Sequence, residues 1–126
     1  MPVVSNLHRP VSRRGQWRDS YIIVIPDGPG DTEGAVFSIS VRLKDHGCRR
    51  RDYGHWQRDP STALRAQTDD RTNQFVVAPV PTGLACAWLF PGSRMRNLCA
   101  GSYEASISVV IGDEDAELAL INFVVR

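Results

Sequence analysis

From Ala35 to Asp45 the chain reads AVFSISVRLKD, and its apolar residues fall on every second position. Phe37, Ile39, Val41 and Leu43 share one side, while Ser38, Ser40, Arg42 and Lys44 share the other. A period of two is that of a strand with one buried face. The alternation returns near the C-terminus, where Tyr103, Ala105, Ile107, Val109 and Ile111 line one face and Gly112-Asp113-Glu114-Asp115 follows as a tight acidic connection. That order predicts a hairpin. Its return run, AELALINFVV, sets Leu118, Leu120 and Val124 against Ala119, Ile121, Phe123 and Val125, so both faces are apolar. Such a strand is central in its sheet or covered on both sides.

Earlier segments extend the pattern. SYIIVI reads as a first strand, closed by the loop sequence PDGPGDTEG. NQFVVAPV has strand character around Phe75 and Val77, and Pro79 and Pro81 confine it to an edge or an early end. STALRAQ fits either a helical turn or a short edge strand. TGLACAWLFPG is expected to plug one end of the core as a short helix or turn, and RRRDYGHWQRDP, which has no period, to form a long polar excursion. About six or seven strands, regular turn signals and no long helix predict an all-β fold, an immunoglobulin-like antiparallel β-sandwich. The Cys to Trp to Cys spacing of antibody domains is absent, so the fit is one of architecture. A single domain over residues 17–126 is expected, preceded by an extended basic N-terminal arm over 1–16; a chain of 126 residues is long enough to bury one core.

Composition changes this picture little. No apolar run approaches the roughly 20 residues of a membrane span, and the first residues lack the compact apolar stretch of a secretory signal. The formal net charge is +1, yet Lys44 is the only lysine among fifteen basic residues. A coding sequence rich in G and C explains that skew without a functional cause; selection for bidentate contacts to phosphate or carboxylate is the alternative. Arg9, Arg13, Arg14 and Arg18 cluster in the leading segment, and Arg49, Arg50 and Arg51 after a turn. Asp19, Asp45, Asp52 and Asp59 interrupt both clusters, which disfavours nucleic acid as a partner. The arm either pairs with acidic groups of a neighbouring subunit or is a disordered terminus; if it docks, removing residues 1–16 is expected to leave the fold intact.

Candidate chemistry is sparse. No phosphate loop, nucleophile elbow or paired-histidine metal motif occurs. Asp45, His46, Cys48, Asp52 and His55 lie within one loop, but three successive arginines make it a poor cation site, so neither metal nor cofactor is expected. Cys86 and Cys99 read as buried small hydrophobes, whereas Cys48 beside arginines reads as the most exposed thiol, open to an intermolecular disulfide. Tyr53 and Trp56, among arginines, suit an interface hot spot, a lid folded over the sandwich edge, or a platform for a sugar, the last shared with Trp17.

The succession VFSISVRLKD, STALRAQTDD, NQFVVAPV and CAGSYEASISVVIGDEDAELALINFVV resembles small immunoglobulin-like proteins encoded among the virion genes of tailed bacteriophages. The matching positions are Val41 and Arg42, Phe75 to Ala78, Gly101 with Tyr103, and the strands flanking Gly112 to Asp115. The Arg-rich excursion after Gly47 and Asn122 in LINFVV depart from that pattern. The resemblance implies a non-enzymatic structural component of the tail, baseplate or fibre-attachment region, assembled in the host cytoplasm and held in multiple copies by other virion proteins. Arg9, Arg13, Arg14, Arg18, Arg49, Arg50, Arg51, Tyr53 and Trp56 are then the candidate contact residues. A head decoration protein and a carbohydrate-binding module for cell-surface glycan are the alternatives.

Overall fold

A computed structural model describes residues 3–28, 30, 32–44, 63–69, 71 and 73–126. Among them eight strands form two sheets. The strands are β1 (Val3–Asn6), β2 (Trp17–Val24), β3 (Val36–Leu43), β4 (Leu64–Gln67), β5 (Phe75–Val80), β6 (Gly83–Phe90), β7 (Gly101–Ile111) and β8 (Glu114–Val125), with one helical turn, α1 (Gly92–Met95), between β6 and β7. The five-stranded sheet runs β1-β8-β7-β3-β4 and the three-stranded sheet β2-β6-β5. All pairings are antiparallel except β1 with β8. The fold is an all-β sandwich.

Side-chain alternation decides which face of each strand is buried. Phe37, Ile39 and Val41 of β3 enter the core with Tyr103, Ala105 and Ile107 of β7 and Ala119, Ile121, Phe123 and Val125 of β8. The opposite sheet contributes Trp17, Ile23, Leu84, Cys86, Trp88, Phe90 and Phe75. The terminal hairpin turns through Gly112 and Asp113, with Gly112 at φ 61°, as a two-residue hairpin turn with glycine first requires. Strand β8 lies between β1 and β7, central as its two apolar faces predict, although Leu118 and Leu120 on its outer face are half-buried and Val124 is exposed. A register shift opposite Ile107 and Ser108 leaves Leu118 unpaired. Beyond it burial fades, and Val109 is half-buried while Val110 and Ile111 are exposed.

Burial contrasts two positions in that hairpin. Ile107→Ala should cost about 2–4 kcal/mol, because a fully buried branched side chain leaves a cavity between packed sheets. Glu114→Ala, at an exposed position beside the turn, should stay within about 0.5 kcal/mol. Urea melts of the two variants read the difference directly.

Two expectations change, and the choice left open for STALRAQ is decided. TGLACAWLFPG is no plug: it forms β6, the middle strand of the three-stranded sheet. Leu84, Cys86, Trp88 and Phe90 face inward and Ala85, Ala87 and Leu89 outward, so apolar residues on both parities hid the period of two. STALRAQ contains β4, an edge strand. Ahead of SYIIVI, the leading segment packs on its own sandwich. Strand β1 pairs with β8 in register from Val3–Ala119 to Asn6–Asn122, and Val11 is 5% exposed, bridged to β8 by Val11 N to Val124 O at 2.8 Å and Arg126 N to Val11 O at 3.0 Å. Removing residues 1–16 would strip a strand from β8 and a side chain from the core, so an untouched fold is no longer expected.

Candidate interaction surfaces

Strand β7 begins where the chain returns from α1, and its third residue secures that corner. The Tyr103 hydroxyl donates to the Cys99 carbonyl at 2.8 Å and accepts from the Cys99 N–H at 3.1 Å. Burial raises the Tyr103 phenol above its ordinary pKa, opposed by the Cys99 backbone bond and by the charge of Arg13. Cys99 is half-buried and disulfide-bonded, which corrects its reading as a buried small hydrophobe. Spacing along a chain does not reveal which sulfurs meet. Cys86 is buried and free as expected, its thiol pushed up to about 11 by burial.

The leading arginines do not converge. Arg9 pairs with Asp19 at 2.8 Å, and Arg13 donates to the Leu98 carbonyl at 3.0 Å, so both engage their own chain. Arg14 borders a shallow open depression of about 290 Å³ shared with Pro10, Val11, Ser12 and Arg126. Arg18 is exposed and stands on the outer face of the three-stranded sheet, opposite Leu89. Trp17, weighed above as part of a sugar platform, is only 4% exposed and belongs to the core, since strand alternation turns it inward opposite Phe90. Arg49, Arg50, Arg51, Tyr53 and Trp56 lie outside the described residues, as do Cys48 and the potential ligands around it. No cluster of three or more His, Cys, Asp or Glu side chains suited to a metal occurs among the described residues.

The outer face of the five-stranded sheet mixes polar pairs with apolar side chains, Val4, Val110 and Val124 being exposed on it. There Ser38 stands opposite Ser108, Ser40 opposite Ser106 and Arg42 opposite Glu104. Its polar groups bond one another: Arg42 to Glu104 at 3.2 Å, the Ser106 hydroxyl to Glu117 at 2.6 Å and Lys44 to Asn122 at 2.9 Å. Beyond Arg18 and Ser20 at one end of β2, the outer face of the three-stranded sheet is apolar. Ile22, Val24 and Val76 are 54%, 64% and 51% exposed, and between them run Ala85 and Ala87 of the middle strand. Isolated exposed hydrophobes are ordinary, whereas a contiguous group of them across neighbouring strands marks a contact surface. Sequence reasoning missed this surface because it took LACAWLF for a plug; read as a strand with both parities apolar, it implies a sheet with something to cover.

No protein-family model matches the chain, and no curated protein matches it in sequence.

Proposed function

We propose that this protein is a non-enzymatic structural component of a bacteriophage virion, an immunoglobulin-like module that works through its surfaces in the tail, baseplate or fibre-attachment region. The observation that carries a surface role is the group of exposed apolar side chains across neighbouring strands of the three-stranded sheet, Ile22, Val24 and Val76. A group of apolar side chains held flat by a sheet is suited to a rigid protein neighbour, and it gives no reason to invoke a substrate. The phage context rests on the sequence resemblance.

Three features favour the immunoglobulin-like type. The sheets divide the strands as β1-β8-β7-β3-β4 against β2-β6-β5. The first strand runs parallel to the last. Tyr103, near the start of β7, bonds the backbone four residues upstream in the manner of a tyrosine corner.

A mass-spectrometric inventory of purified particles tests the role. The chain should appear in a fixed copy number relative to the major tail proteins, and remain through a salt wash. Its absence from particles, with binding of the isolated chain to host-surface glycan, would establish the carbohydrate-binding reading instead.

A further inference from the structure

Four strands end the two sheets: β1 and β4 in the larger, β2 and β5 in the smaller. Natural sheets blunt such edges with short strands, prolines, lysines or bulges, because an open edge is a template for another strand. Strands β1 and β4 are four residues long, and β5 contains Pro79 and is followed by Pro81. Strand β2 carries charge only towards its first end, at Arg18 and Asp19, and from Ser20 to Val24 it has none of these devices. It is eight residues long, holds an unbroken register with β6 from Trp17 to Val24, and contains neither proline nor lysine.

The polarity of its open side follows from the ladder. Ile25 N bonds Thr82 O at 2.8 Å, and the alternation of antiparallel pairs then turns the N–H groups of Ile22 and Val24, and the carbonyls of Ser20, Ile22 and Val24, away from β6. The Ser20 N–H, on the same side, is taken by Asp19 Oδ1 at 3.1 Å, and the Arg9–Asp19 pair stands beside that end. Tyr21 to Val24 is the accessible stretch.

We propose that this edge docks the same edge of a second copy of the chain, β2 against β2 in antiparallel sense about a two-fold axis at Ile22, joining two three-stranded sheets into one of six strands. A strand paired antiparallel with itself is self-complementary, as an isologous interface requires. Ile22 meets Ile22 of the second copy in a hydrogen-bonded pair, and Val24 donates to the outward carbonyl of Ser20, so the occupied Ser20 N–H need not be released. The outward side chains of Ile22 lie side by side across the axis, and Val24 lies beside Ser20. Charge selects the sense: antiparallel pairing sends the two Arg18 side chains to opposite ends, whereas parallel pairing would stack them. The apolar outer faces then meet across the axis through Ile22. This inference rests on β2 alone and stands whether or not the protein is a virion part.

One strand edge buries well under the roughly 800 Å² per partner of a stable complex, so the association should be reversible. Sedimentation velocity of the full chain from about 10 μM to about 1 mM, a range that brackets weak protein association, should show a dimer that grows with concentration. Ile22→Pro removes an N–H that the β6 ladder does not use, and should abolish the dimer while far-UV circular dichroism stays that of the wild type. If that variant fails to fold, Ile22→Lys places a charge on the axis and should abolish it equally. Ile22→Cys should form a disulfide-linked dimer far faster than Arg18→Cys, because facing Cα atoms in such a pair lie about 5.5 Å apart. A wild-type chain monomeric throughout the range overturns the proposal. So does a dimer that survives both Ile22→Pro and Ile22→Lys but is lost in Val76→Lys, which would place the contact on the sheet face.

Discussion

Trp17→Ala should remove about 3–5 kcal/mol, the range for emptying a buried aromatic site, from a stability expected near 5–15 kcal/mol. The size of the loss follows from what the indole joins. Trp17 belongs to the three-stranded sheet, yet its ring lies 4.7 Å from that of Phe123 in the five-stranded sheet, the closest of its aromatic contacts. Within its own sheet it meets Trp88 edge-on at 5.6 Å and Phe90 stacked at 5.9 Å. Phe123 in turn stacks on Tyr103 at 5.8 Å, and Tyr103 holds the corner at Cys99. Truncating Trp17 breaks this chain of rings at the point where it crosses between sheets. The indole N–H also donates to Asp19 at 3.3 Å, so Trp17→Phe should keep most of the packing and lose a hydrogen bond to a charged acceptor, about 1.5–3 kcal/mol. Trp88 is the control. Its indole N–H is buried without a hydrogen-bond partner among the described residues, so Trp88→Phe relieves an unpaired donor and should cost less than Trp17→Phe. Urea melts followed by far-UV circular dichroism measure all three, and a Trp17→Ala chain as stable as wild type would show that the two sheets are held together elsewhere.

What the sequence discloses about this fold depends on whether a strand has a polar face. Strands β3 and β7 each place one apolar row against a row of serines, and their inward residues, from Phe37 to Val41 and from Tyr103 to Ile107, were legible by period alone. The prolines of β5 announced an edge, and β5 is one. Strand β6 carries apolar residues on both parities, so its period was invisible, and with it the apolar outer sheet face. Strand β1 is a short run whose partner, β8, lies at the far end of the sequence; no local pattern announces a pairing that depends on the closing of the whole sandwich. The partners of the leading arginines were hidden for a related reason. Arg9 and Arg13 are clustered in sequence, but each finds its partner only where the fold brings Asp19 and Leu98 beside it. The apolar face was encoded in plain sight, in Ile22, Val24, Val76, Ala85 and Ala87, and needed only the strand register to assemble it.

Gly83→Ala should cost about 3 kcal/mol or more, as backbone strain and a displaced ladder combine. Gly83 opens β6 just after the Pro81-Thr82 turn, where it faces Val80 of β5 on one side and Val24 of β2 on the other. Its φ of +154° lies where side chains are rarely found. The space is also closed: a Cβ there would sit inside the van der Waals envelope of the Ile23 carbonyl oxygen and 2.9 Å from Ile25 N. Both obstacles are backbone atoms of β2, which no change of rotamer can move. Accommodating the methyl means pulling the β5–β6 hairpin away from β2, with loss of the bond from Ile25 N to Thr82 O and then of the adjoining pairs. Gly112→Ala separates the two components of that cost. Gly112 also has a positive φ, +61°, but nothing lies within 4 Å of the position its Cβ would take, so only the conformational penalty of about 1–2 kcal/mol applies. The difference between the two variants in urea melts measures the steric part. If Gly83→Ala proves no worse than Gly112→Ala, the end of β2 yields without resistance, and the rigid open edge from Tyr21 to Val24 would not be there to meet a second copy.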